Sequence, residues 1–131
     1  MKKIILFTCA FAIIATCVHA SIARRTNTPK VRYIEPKSES VVDLSGEESL
    51  VFKWKRMPRP GGGRDAFKLE VFKGYGYDRI INETLDEDID AVEVPSEMFE
   101  DSQLYTWQVR QRDRSTGVWS MDDRWSFTVK K

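Results

Sequence analysis

Apolar and polar side chains alternate with a period of two in short runs along most of this chain, and turn residues separate the runs. Only in a strand do successive side chains point to opposite faces, so each run is committed to a strand with one buried side. Ser49 to Lys55 puts Leu50, Phe52 and Trp54 on one face and Val51, Lys53 and Lys55 on the other, and stops before Pro58 and Pro60. Ala66 to Lys73 sets Phe67, Leu69 and Val71 against Lys68, Glu70 and Phe72. Gln103 to Arg112 sets Tyr105, Trp107 and Val109 against Gln108, Arg110 and Arg112, and Arg124 to Lys130 sets Trp125, Phe127 and Val129 against Arg124, Ser126, Thr128 and Lys130. Val31 to Ile34 reads as the first strand, stopped by Pro36, with Val41 to Leu44 as its continuation after a kink. Asp78 to Leu85 and Ala91 to Val94 are weaker strands joined by an acidic turn. No run has a helical apolar face, and no segment repeats. About seven short strands in roughly one hundred residues predict an all-β fold, an antiparallel β-sandwich. Its expected core is Trp54, Phe67, Tyr105, Trp107, Trp125 and Phe127.

The first twenty residues carry a different pattern. Met1-Lys2-Lys3 is a short positive segment, Ile4 to Ala15 is apolar apart from Thr8 and Cys9, and Val18-His19-Ala20 ends in small residues. Together these predict an export signal over 1–20, cleaved after Ala20, of the short-headed kind seen in bacteria. The apolar run is short for a membrane span. Residues 21–30 are polar and read as a flexible leader, leaving 31–131 as the folded domain.

Cleavage would remove both cysteines, Cys9 and Cys17, and the single histidine, His19. The sandwich must therefore hold without the disulfides that brace many small secreted domains. Removal of Lys2 and Lys3 from the 21 basic side chains would leave them one short of the 20 acidic ones. Such a balance gives no general reason to expect nucleic acid or an anionic membrane as partner. The segment Ile14-Ala15-Thr16-Cys17 also resembles a bacterial lipoprotein box, with Thr16 in place of the usual small residue before the cysteine. That resemblance implies an alternative in which Cys17 is acylated and anchors the protein to the cell envelope.

The strand runs resemble a fibronectin type III domain. Ser49 to Trp54 with Pro58 following is similar to that family's second strand, and Phe67 to Phe72 to its third. Phe99, then Tyr105, Trp107 and Val109, resemble its apolar plug, tyrosine corner and sixth strand; Gly117-Val118-Trp119-Ser120 and Trp125 to Val129 resemble its last loop and strand. The resemblance covers residues 30–130 and implies a non-catalytic binding or spacer module, secreted or periplasmic, with an unidentified partner chain. Departures are the long loop from Arg56 to Asp65 and the lack of an Arg-Gly-Asp tripeptide, of which Gly63-Arg64-Asp65 is a permutation.

Catalysis has little to stand on, because a nucleophile would lack a histidine or cysteine partner and no pair of acids stands out. Pro58 to Asp65 has glycines but leads into a strand, where a phosphate-binding loop would lead into a helix. Asp86, Asp88 and Asp90 lack the glycine and distal glutamate of a calcium loop and read as a solvated turn; no metal or other cofactor is expected. The candidates for binding are outward-facing. Phe72 alternates to the solvent side, and Tyr75 and Tyr77 flank glycines in the turn that follows. In receptor members of the resembled family, a Trp-Ser motif before the last strand stacks its indole between arginines. The resemblance implies such a ladder for Trp119 with Arg110, Arg112 and Arg124. Phe72, Tyr75, Tyr77, Arg110, Arg112 and Trp119 make one candidate contact surface, for a protein partner or, alternatively, for a glycan stacked on its rings.

Overall fold

The computed structural model describes residues 28–57, 66–86, 89–113, 116–121 and 123–131. The export signal, Cys17, most of the leader, the loop Pro58 to Asp65 and part of the acidic turn lie outside the described residues. The strands are β1 (Arg32–Glu35), β2 (Ser40–Asp43), β3 (Ser49–Lys55), β4 (Ala66–Lys73), β5 (Asp78–Leu85), β6 (Ala91–Pro95), β7 (Leu104–Arg112) and β8 (Trp125–Lys130). A 3₁₀ turn, Ser96–Met98, precedes the bend into β7. The strands form a three-stranded sheet ordered β1-β3-β6 and a five-stranded sheet ordered β2-β8-β7-β4-β5, hereafter the small and the large sheet.

Two features depart from the expected seven antiparallel strands. The described residues hold eight strands, and β2 pairs with β8 in parallel, Ser40 to Asp43 against Phe127 to Lys130. The cause is local. Pro36 has no amide hydrogen to extend β1 against β3, so the chain leaves the small sheet there. It crosses to the large sheet without reversing direction, and the Glu39 amide donates to the Ser126 carbonyl at 2.7 Å as it arrives. What alternation reads as one kinked strand is thus shared between two sheets.

The inner faces meet through rings. Tyr33 of β1 stacks on Trp107 of β7 at 4.6 Å, Phe52 of β3 meets Trp107 edge-on at 5.2 Å and Phe127 at 5.9 Å, and Trp54 lies 5.9 Å from Phe67. Offset and edge-on contacts of this kind suit the ring quadrupole. Phe52, Trp54, Phe67, Tyr105, Trp107 and Phe127 are all 0–1% exposed. Full burial of a phenylalanine ring contributes up to about 3 kcal/mol, and of the larger indoles more, before conformational entropy is set against it. Trp125 is half-buried, held at the margin of the core by Tyr33 and Trp107.

Polar tethers then lock the layers. The Tyr33 hydroxyl accepts from the Val109 amide at 2.9 Å and donates to the Asp123 carbonyl, joining β1 to β7 and to the loop before β8. The Tyr105 hydroxyl accepts from the Glu100 amide at 2.8 Å, while Phe99 packs edge-on against the Tyr105 ring. Thr28 is buried and donates to the Val118 carbonyl at 2.9 Å, so packing begins inside the stretch read as flexible leader.

Candidate contact surface

The outer face of the large sheet carries the sequence candidates. Antiparallel pairing of β4 with β7 sets Lys68 beside Arg110, Glu70 beside Gln108 and Phe72 beside Thr106. Pairing of β4 with β5 adds Asn82 opposite Glu70 and Arg79 opposite Phe72. Residues that share a pair share a face, so these side chains form one layer over the sheet.

Glu70 is the hub of that layer. It is 3% exposed. Its Oε1 accepts from Arg79 Nη1 at 2.9 Å, and its Oε2 accepts from Gln108 Nε2 at 2.6 Å and Arg110 Nη2 at 3.0 Å. Lys68 Nζ stands 3.9 Å away. Burial pushes the Glu70 carboxyl up, but the hydrogen bonds from Gln108 and Arg79 and the charges of Arg110 and Lys68 outweigh it and leave the group below its ordinary value. Glu70 and Arg79 carry no signal of this role in the sequence beyond an outward position in their strands. Their meeting depends on register between strands, which alternation does not report.

Above the hub stands the ladder. The Trp119 ring lies 5.7 Å from the Arg110 guanidinium and 5.5 Å from that of Arg112. An isolated bridge pairs Arg112 with Trp119. Ser120 then completes the attachment: its amide donates to the Gln111 carbonyl at 2.8 Å and its hydroxyl accepts from the Gln111 amide at 3.0 Å. The serine of this Trp-Ser pair thus sews the loop to β7 while the indole lies beside both arginines.

Arg124 goes elsewhere. Its guanidinium covers the Phe72 ring at 4.6 Å, its Nε donates to Gln108 Oε1 at 3.2 Å, and its Nη1 reaches the Gly76 carbonyl at 3.4 Å. Phe72 is accordingly 7% exposed and is no open contact residue, against the expectation from alternation. Alternation gives the direction of a side chain and not what folds over it; here the cover is an arginine from the loop before β8.

The β4–β5 turn projects beyond this layer. Gly74 and Gly76 take φ of +71° and +120°, conformations that residues with a Cβ rarely adopt. A Cβ on Gly76 would also fall 2.1 Å from Arg124 Nη1. Tyr75 and Tyr77 alternate with these glycines and are 78% and 101% exposed. The Thr106 hydroxyl, donating to the Gly74 carbonyl at 3.0 Å, ties the turn to β7. The structure therefore separates the six candidates: Tyr75 and Tyr77 are open, Arg112 is exposed, Arg110 and Trp119 are partly covered by one another, and Phe72 is closed off. Among the described residues no three histidine, cysteine or acidic side chains gather as a metal site. In comparisons with known proteins, no family model matches the chain and no curated protein matches it significantly.

Proposed function

We propose that this chain is an exported, non-catalytic fibronectin type III-like module that binds a partner protein through the β4–β5 turn and the ladder beside it. The carrying observation is the pair Tyr75 and Tyr77, exposed on a turn that is braced from beneath by Arg124 and Thr106. Tyrosines on a braced turn offer large contact area with little entropy to lose, which is what interface anchors require. The family reading draws support from three arrangements: the Tyr105 hydroxyl on the backbone at Glu100, Trp119 beside two arginines, and a small sheet of β1, β3 and β6 facing the rest. The export reading rests on the apolar N-terminal run and its small-residue end.

The test is affinity capture of the native protein, with mass spectrometry of co-purifying chains and of its own N-terminus, beside a Tyr75→Ser/Tyr77→Ser variant of unchanged circular dichroism. A stoichiometric partner lost in the variant, with an N-terminus at Ser21, is the expected result. Acylated Cys17 would instead put the module on a membrane surface. Retention of glycan with no protein partner would overturn the protein-binding reading.

A further inference from the structure

A cleft of about 560 Å³ opens between β1, the β1–β2 crossing, the end of β3 and the start of β8. Its rim carries Arg32, Lys37 and Lys55, and its lining includes Ile34 and the half-buried Trp125. It shares no residue with the surface proposed above. The crossing creates it: β2 covers the edge of β8 only from Phe127 onward, so Trp125 stays open beside the departing chain.

Two observations set this cleft apart. The first is register. Arg32 of β1 stands directly opposite Lys55 of β3, whereas further along the same pair of strands Glu35 stands opposite Lys53. Opposite charges in such positions support a sheet and like charges weaken it. The second is the lack of compensation. Among the described residues no acidic side chain lines the cleft, and Arg32, Lys37 and Lys55 form no ion pair. The contrast with the outer face of the large sheet is direct, since the cations there converge on Glu70. Folding gains nothing from setting like charges across a strand pair at the mouth of a hollow; an anion bound between them would.

We infer that this cleft binds an acidic sugar, a uronate-type ring within a glycan, with its carboxylate held by Arg32 and Lys55 and the apolar side of the ring on Trp125. The volume is within the range of small-ligand sites and fits a few sugar rings. An arginine and a lysine offer a fork and a point charge to one carboxylate. The half-open indole gives the site a preference that charge alone would not, because an anion without an apolar ring face gains nothing from it. Tyr33 fixes that indole from the core side, edge-on at 5.2 Å.

The experiment titrates the purified protein with trigalacturonate, with the neutral galactose trimer and with polyphosphate, following the Trp125 indole proton by NMR. Arg32→Gln and Lys55→Gln are titrated alongside, with melting temperatures. Expected are saturable binding of trigalacturonate that shifts the Trp125 signal, at least about tenfold weaker binding of the neutral trimer, and a roughly fivefold loss in each variant. Because each variant removes a like-charge pair, its melting temperature should hold or rise by about 1–4 °C. Absence of trigalacturonate binding overturns the inference, as does equal binding of polyphosphate with the Trp125 signal unmoved. A lower melting temperature in both variants would make the cations structural and overturn it as well.

Discussion

At the centre of the large sheet both faces bury side chains, by opposite means. On the inner face Leu69, Val71 and Trp107 are 0% exposed among hydrocarbon and rings. On the outer face Glu70, Phe72 and Gln108 are 2–7% exposed, beneath arginines whose heads pair with Glu70, Gln108 and the rings. Inner burial depends on non-directional apolar contact. Outer burial depends on long side chains that cover with their stems and hold position by charge. The inner layer should therefore respond to lost volume and the outer layer to lost charge.

The largest effect tests the first half of that contrast. Trp107 touches Tyr33, Phe52 and Trp125 and links the sheets, and its Nε1 donates to the Pro36 carbonyl at 3.3 Å. Trp107→Ala should cost about 3–5 kcal/mol in denaturant unfolding. A loss below about 1.5 kcal/mol would show that the core collapses around the gap, and the distinction between the faces would fail.

Glu70→Gln tests the second half. Shape is kept, but charge is lost and one acceptor oxygen becomes an NH2 that faces the donors of Arg79 or of Gln108 and Arg110, at a cost of about 1–3 kcal/mol. The sign with pH follows from the lowered carboxyl value. A group held more acidic in the folded chain adds stability that is complete above its ordinary value of 4.5 and is lost as pH falls through the lowered folded value. The gap between native protein and variant should be full at neutral pH and close progressively in acid. A gap that stays constant from neutral to strongly acid pH would mean that Glu70 acts by shape.

These faces also show what could be read beforehand. Strands β3, β4 and β5 run over Ser49–Lys55, Ala66–Lys73 and Asp78–Leu85, the ranges that alternation and turn residues mark. That legibility has a local cause, since a strand buried on one side writes its period into its own residues. Pairing is not local. Nothing in Ser40 to Asp43 names β8 as partner, so the sheet-switching β2 was hidden within a continuation of the first strand. The same limit hid the cover over Phe72 and the opposition of Arg32 and Lys55, because both depend on register or on a loop distant in sequence. Tyr75 and Tyr77 were legible because flanking glycines mark an exposed turn without any reference to a partner strand.

The smallest effect sharpens the comparison where charge and ring meet. If Trp119 is held by the arginines, removing the indole and removing a guanidinium should not add. Trp119→Leu keeps apolar bulk, and Arg112→Gln keeps length without charge. Each should cost no more than about 1 kcal/mol, with a coupling of roughly 0.5 kcal/mol in the double-mutant cycle. The backbone bridge of Arg112 to Trp119 and the bonds of Ser120 to Gln111 persist in every corner of the cycle, so they cancel. A coupling of zero would mean that these bonds alone hold the loop and that the arginines merely lie alongside. A clear coupling would make the ladder an outer-face counterpart of the core, held by charge against a ring where the inner face is held by ring against ring.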